Sequence, residues 1–332
     1  MKNILITGGA GYVGSGLLRD LLVEGYSITC VDKLLFGDES LFDIWNKKNF
    51  KFINCDINNI EQFDKIFHEN NFDAVIHLAA IVGDPACKLY PDLAVKTNFD
   101  SSKWLIERSK NAGVTKFIFA STCSNYGKMD DPEVYVDEKS KLAPVSLYAE
   151  LKVKFENYML NEIEKDEKFS PTSLRFSTVY GLSPRMRFDL TVNEFTKVLA
   201  SGKELVVYGE QFWRPYCHVK DFSNAFKTVL ISPLKKVAYN VFNVGDTKEN
   251  YTKLMLINEI KKVIPSSKIK FIAKNDDPRD YRVNCDKIKN ELGFKITKTV
   301  PDGIMEIKRV IQENLIKDPE DQKYYNIPHE RK

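Results

Sequence analysis

The sequence predicts an α/β fold, a doubly wound parallel sheet with a smaller C-terminal α+β lobe. Three observations lead there. Five short, near-continuously apolar runs alternate with amphipathic stretches through the first half of the chain. The first run opens directly into a glycine-rich turn followed by a helical pattern. Beyond Gly181 the alternation breaks down. Strands buried on both faces read as unbroken apolar runs, and a β-helix-β rhythm gives a parallel sheet covered on both sides.

Taken in order, "NILIT" (3–7), "SITCVD" (27–32), "KFINCD" (51–56), "DAVIHLAA" (73–80) and "KFIFAS" (116–121) read as strands. Segments 13–24, 60–70 and 92–112 read as helices between them, and a long helix is expected from Leu147 to Lys165. "TSLRFSTVYG" (172–181) reads as a further strand and its exit. Strand 240–244 and the nearby helix 219–231 are expected to return to the main sheet, and the tail from Lys317 reads as polar and loosely ordered.

Of 332 residues, 43% are hydrophobic and 29% charged, and the net charge is +3, with no basic block to suggest nucleic acid. No apolar run approaches the roughly 20 residues of a membrane span, and strand-like sequence follows Met1 without a signal peptide. Six cysteines without a CxxC pair read as reduced thiols of a cytoplasmic protein. His68, His77, His218 and His329 do not cluster, so no metal site is expected.

The first strand runs into Gly8-Gly9-Ala10-Gly11-Tyr12-Val13-Gly14. Gly8 permits a tight turn, Gly11 lets backbone approach a diphosphate, and Gly14 lets the helix pack on the sheet. The helix N-terminus supplies N–H donors to the phosphates. Asp32 ends the second strand, where a carboxylate takes both ribose hydroxyls and repels a 2′-phosphate, favouring NAD over NADP; Lys33 beside it weakens that discrimination. Asp56 reads either as an acceptor for an adenine amino group or as the N-cap of "INNIEQF".

Tyr148 and Lys152 stand at i and i+4 on one helical face. A nearby ammonium lowers a phenol's pKa, which would make Tyr148 a usable acid/base. Thr122 ends a parallel strand at the edge where open α/β sheets bind ligands.

These features in this order resemble the extended short-chain dehydrogenase/reductases, the NAD-dependent sugar-nucleotide epimerases and dehydratases, to about residue 310. "TGGAGYVG", "CDI" (55–57), "HLAA" (77–80), Asn98 in "TNFDSS", "LRFSTVYG" and "RPYCHVKD" carry the resemblance. It implies a Rossmann domain over 1–181, a nucleotide-sugar lobe mainly over 182–316 and a polar tail over 317–332. It implies bound NAD contacted by the glycine loop with Tyr12 and Val13, by Asp32, Lys33, Asp56 and Ile57, by Leu78, Ala79, Ala80 and Asn98, and by Tyr148, Lys152 and Val179. Tyr148 would exchange a proton with a sugar hydroxyl, usually at C4, while Lys152 holds the nicotinamide ribose and Thr122 bonds the reacting oxygen. Arg214 and Arg279 would grip the substrate diphosphate. Leu190, Asn193 and Tyr208 would lie near the nucleotide, with Cys123 and Ser124 on the sugar. Arg185 and Arg187 are further candidates, or serve loop solubility. A homodimer or tetramer, paired through the helices containing Asn98 and Tyr148, is implied as well.

Two positions narrow the reaction. The 4,6-dehydratases place Asp and Glu directly after the catalytic Ser/Thr, where this chain has Cys123 and Ser124. A thiol and a hydroxyl do not supply that acid/base pair at neutral pH. The 3,5-epimerising members place Cys two residues after it, and Cys123 is one residue off, which on a strand end turns it to the other face. C4 chemistry remains: 4-epimerisation, net 4-dehydrogenation or 4-keto reduction. "HLAAIVGDPAC", "SLYAELK" and "YGLSPRMRFDL" also resemble capsular heptose enzymes such as a GDP-heptose 4-dehydrogenase, which implies a place in surface polysaccharide biosynthesis.

Overall fold

The computed structural model describes residues 3–129, 131, 134–273 and 279–327; His329 and the end of the tail lie outside them. A seven-stranded parallel sheet forms its centre. In chain order its strands are β1 (Asn3–Thr7), β2 (Ser27–Asp32), β3 (Phe50–Asn54), β4 (Ala74–His77), β5 (Lys116–Thr122), β6 (Ser170–Phe176) and β7 (Asn240–Val244). Their spatial order is β3-β2-β1-β4-β5-β6-β7. The chain therefore reverses direction between β1 and β4, and a crevice opens there at the carboxyl ends of the strands. Register places Thr7 opposite Val31 and His77, and Thr122 opposite Phe176, so the strand exits share one edge.

Helices used below are α1 (Tyr12–Val23), α2 (Ser101–Asn111), α3 (Leu147–Asn157), α4 (Thr191–Ala200), α5 (Val219–Ile231) and α6 (Val300–Gln312). Strand alternation splits the core in two. Ile4 and Ile6 pack with Leu17, Leu18, Phe222 and Phe226 of α1 and α5 on one face. Leu5, Val75, Phe117 and Phe119 pack with Leu105 and Phe155 of α2 and α3 on the other. A third cluster, with Val192, Leu205, Leu256 and Ile304, holds the smaller lobe around α4 and α6.

The expected helix 92–112 is two segments, Pro91–Val95 and α2, joined through a wider π turn over Lys96–Asp100. The expected helix to Lys165 likewise ends its regular course at Asn157 and runs through a π turn to Glu162. Neither break carries Gly or Pro, so no residue marked it.

Two buried polar groups tie layers together. Lys116, at the foot of β5, is 3% exposed and donates to the carbonyls of Val229 (2.8 Å), Leu230 (2.7 Å) and Ser232 (2.5 Å), closing the end of α5. His77 joins Thr7 Oγ1 (2.7 Å, through Nδ1) to Ser102 Oγ (2.8 Å, through Nε2). Burial, aided by the Lys152 charge, pulls its pKa down to about 3. Between pH 6.5 and 3 the unfolded chain binds a proton that the folded chain refuses. Stability contributed by neutral His77 is thus complete above pH 6.5 and lost as pH falls towards 3, at about 1.4 kcal/mol per unit. Urea melts at pH 7 and pH 5 should show a smaller loss for His77→Gln than for the native chain; equal losses would refute this account.

The tail is the main departure from expectation. Tyr325 is 9% exposed, with its hydroxyl between Lys197 Nζ (2.9 Å) and Glu320 Oε2 (2.8 Å). The Tyr324 carbonyl accepts from Phe188 N (2.9 Å), Asn326 N donates to Asp189 (3.1 Å), and Ile327 packs against the buried cluster that includes Ile81 and Cys87. The segment over 320–327 is thus a strap running from the smaller lobe to the wall of the large one. Its few apolar anchors sit among polar residues, which is why composition alone reads it as loose. No helix among the described residues is long and apolar enough to cross a membrane.

Candidate active site

One cleft follows the carboxyl edge of the sheet and continues under the smaller lobe. At one end lies the glycine loop. Gly8 has φ +73°, and a Cβ there would stand 2.6 Å from the Ala79 nitrogen; one on Gly14 would stand 2.6 Å from the Gly8 carbonyl oxygen. Both glycines are therefore required by close backbone approach. Gly11 caps α1 without a side chain, so the first-turn N–H groups of Tyr12, Val13 and Gly14 are left for an anion in the cleft. The Tyr12 hydroxyl is pinned to the Gly181 carbonyl at 2.5 Å, which ties α1 to the strand exit holding Val179.

Asp32 accepts from the amides of Ala10 (3.0 Å) and Leu34 (2.8 Å). Burial pushes its carboxyl above the usual range against those two bonds. Asp56 accepts from Asn58 N (2.9 Å) and from Lys33 Nζ (3.2 Å). The helix after it is capped by Asn59, whose side chain accepts from Gln62 N at 3.2 Å, so Asp56 is not the N-cap and stays on the cleft wall with Ile57. Leu78, Ala79 and Ala80 line the opposite wall where β4 ends.

Thr122, Ser124, Tyr148 and Lys152 meet midway along the cleft. Ser146 caps α3 by accepting from Ala149 N (3.3 Å) and donates to Asp84 (2.7 Å), which fixes the turn that presents Tyr148. Lys152 Nζ donates to the Ala120 carbonyl at 2.7 Å and lies 5.8 Å from the Tyr148 ring centre. Burial pulls its pKa down to about 7. Burial, then Cys87 and Asp84, push the Tyr148 phenol up. The lowering of Tyr148 by Lys152 expected from their spacing is not what this arrangement of the chain produces.

From the smaller lobe come Arg187, Leu190, Arg214 and Arg279. Asp189 holds Arg187 in a fork at 2.8 and 2.9 Å. Arg214 Nη1 donates to the Trp213 carbonyl (2.6 Å), and its guanidinium lies 5.4 Å from the Tyr281 ring centre. Arg279 reaches across the cleft to Asp84 at 2.9 Å.

A model of the NAD dependent epimerase/dehydratase family matches residues 4–245. The chain belongs to this family. Among its relatives, a UDP-glucuronate 4-epimerase of Thermodesulfobacterium geofontis is 27% identical over 327 residues, spanning 95% of this chain and 98% of that one. The UDP-glucose 4-epimerase of Thermotoga maritima, solved with UDP-glucose, is 27% identical with a TM-score of 0.82, covering 94% of this chain and 99% of that one. A dTDP-glucose 4,6-dehydratase of Bacillus anthracis, solved with NAD, is 25% identical with a TM-score of 0.82, covering 95% and 97%. As a member of the NAD dependent epimerase/dehydratase family, the chain uses NAD. The uncapped first turn of α1 and the glycine cradle fit a dinucleotide diphosphate, and Asp32 at the end of β2 fits its ribose.

Four expected contacts are corrected. Asn98 does not reach the cleft: its amide brackets Ile81, accepting from its N (2.8 Å) and donating to its carbonyl (2.9 Å). It positions the wall instead. Cys123, first residue of the 3-10 turn after β5, is 1% exposed, turned into the core and donates to the Arg175 carbonyl at 3.2 Å, and burial pushes its thiol up. Asn193 is fully buried, spending its amide on Gly181 N (2.9 Å), the Arg187 carbonyl (2.9 Å) and Tyr12 OH (3.2 Å). Tyr208 ends an outer strand, 52% exposed and away from the cleft.

The cleft lining also includes residues that the sequence pattern does not single out, among them Thr178, Tyr281 and Asn326. Thr178 stands in the strand exit "STVYG", a readable position, and Tyr281 follows Arg279 by two residues, with its hydroxyl 3.4 Å from Ser124 Oγ. Asn326 arrives on the strap and had no local signal. All six cysteines are free and buried, and no set of three metal-ligating side chains occurs among the described residues.

Proposed function

We propose that this protein is a 4-epimerase of a nucleotide-linked sugar, serving surface polysaccharide synthesis. The observation that carries the reading is the convergence of Thr122, Tyr148 and Lys152 on one cleft wall beside the glycine loop, with Cys123 facing away. Bound NAD supplies hydride exchange at C4. Tyr148 takes the proton of the C4 hydroxyl and returns one after the sugar turns over, while the Thr122 hydroxyl bonds the same oxygen. Lys152 stands beside the phenol, where its ammonium form favours the phenolate against the burial that raises it. Arg187, Arg214 and Arg279 suit the negative groups of the substrate, because guanidinium forks match phosphate and carboxylate oxygens. Leu190 and Ser124 border the space left for the nucleotide sugar. The relatives that act on UDP-sugars support a uridine nucleotide. Without an acidic pair after Thr122 the chain lacks the groups that protonate a C6 hydroxyl and take a C5 proton.

The test is incubation of the purified protein with UDP-, GDP-, dTDP- and CDP-linked hexoses and heptoses, each with and without added NAD or NADH, read by mass and NMR. A C4 epimer of unchanged mass is expected. Loss of one water would mean a dehydratase, and loss or gain of two hydrogens with consumption of added cofactor would mean a dehydrogenase or reductase; each overturns the 4-epimerase reading.

A further inference from the structure

Arg185, on the cleft wall, is a buried cation with no ion pair among the described residues. Arg185 is 6% exposed. Its main-chain N–H donates to Ser15 Oγ (3.3 Å) in the first turn of α1, so the residue stands at the phosphate end of the cleft. Its guanidinium lies 4.1 Å from the ring centre of Phe36, in the loop after Asp32. Nη2 reaches the Tyr325 carbonyl of the strap at 3.4 Å, and Nε has no hydrogen-bond partner among the described residues. The carboxylate that influences it, Asp189, is already forked by Arg187. Burial and the neighbouring Arg187 charge pull its pKa down to about 10, which still leaves it charged at neutral pH. An uncompensated buried cation is costly, and the cost is relieved when an anion enters beside it.

We infer that Arg185 is a cofactor-binding residue contributed by the smaller lobe, whose guanidinium takes an oxygen of the NAD diphosphate from the side opposite the glycine loop. The Phe36 ring sets the plane of the fork, and the Tyr325 carbonyl limits its reach. The strap therefore takes part in cofactor binding through a main-chain atom. This rests on NAD as cofactor and not on which sugar is turned over.

The test uses the full chain with Arg185→Met and Arg185→Lys, each stripped of nucleotide. Calorimetry then gives the affinities for ADP, which carries the diphosphate, and for adenosine, which does not. NAD carried through purification is counted per chain. Removing a charge-assisted bond to phosphate should weaken ADP by about tenfold or more in Arg185→Met. Adenosine affinity should stay unchanged, Arg185→Lys should recover part of the loss, and less NAD should be retained by Arg185→Met. A folded Arg185→Met that binds ADP as the native chain does overturns the inference. So does an equal loss for ADP and adenosine, which would make the side chain a packing partner of Phe36. If Arg185→Met does not fold, Arg185→Lys decides, since a site reading only bulk should bind ADP at native strength. None of these measurements involves sugar turnover, so a failure here is separable from a failure of the C4 reading.

Discussion

Replacing Tyr148 by Phe is expected to lower turnover by about two to four orders of magnitude, the usual contribution of a positioned general acid/base. Phenylalanine fills the same space on the cleft wall, so the loss isolates the hydroxyl. The cap by Ser146, its bond to Asp84 and the Lys152 bond to the Ala120 carbonyl do not involve that hydroxyl, so the local fold should persist. NAD should therefore remain bound. Turnover with the purified sugar nucleotide, measured beside NAD content, checks both halves. Undiminished turnover would remove Tyr148 from the mechanism. Loss of cofactor together with activity would instead make the hydroxyl a binding group.

The largest stability effect is expected at Glu156. This carboxylate is 2% exposed on α3 and faces Arg175 of β6, which is 4% exposed. Arg175 Nε donates to Oε1 at 3.0 Å and Nη2 donates to the same oxygen, while Ser173 Oγ donates to Oε2 at 2.6 Å. Arg175 Nη1 continues to Tyr126 OH (2.9 Å), whose hydroxyl donates to Asn243 (2.7 Å). Glu156→Ala would leave a guanidinium buried without its carboxylate, at a cost of about 3–5 kcal/mol. Replacing both partners, as Glu156→Leu with Arg175→Met, removes the stranded charge and should cost less than the single change. Urea denaturation of the native chain, Glu156→Leu, Arg175→Met and the double variant tests this. A double variant as unstable as the sum of its single changes would show the pair to be uncoupled. Because the Arg175 carbonyl also holds Cys123, the network lies directly under Thr122, and activity should fall with stability.

What could be read from the chain depended on whether backbone or side chain decided it. Strand periodicity placed β1 to β6 within a few residues, and the glycine spacing marked a loop whose backbone contacts admit no Cβ at Gly8 or Gly14. The carboxyl edge brought Thr122 to Tyr148 as the topology requires. The inward turn of Cys123, the first residue after β5, agrees with alternation continued past the strand end, whereas the resemblance had set it on the sugar. Asn98 and Asn193 carried no such signal, because an amide that satisfies buried main chain has the same identity and spacing as one that faces a ligand. Tyr208 failed because the outer strand carrying it belongs to the smaller lobe, where no regular rhythm fixes direction. The strap failed for want of length: "YYNI" is too short to show a period, and its partners Phe188, Asp189 and Lys197 lie more than a hundred residues away.

Lys116 has a mechanical consequence. Helix ends ordinarily fray, because their last carbonyls can trade one another for water at little cost. Here the trade is blocked: three of those carbonyls are the hydration shell of a buried ammonium that grows from the sheet itself. Unwinding the end of α5 would strip that shell while the charge stayed in the interior. The helix terminus and the foot of β5 therefore come apart together or not at all, and a single buried side chain behaves as a rivet through two layers.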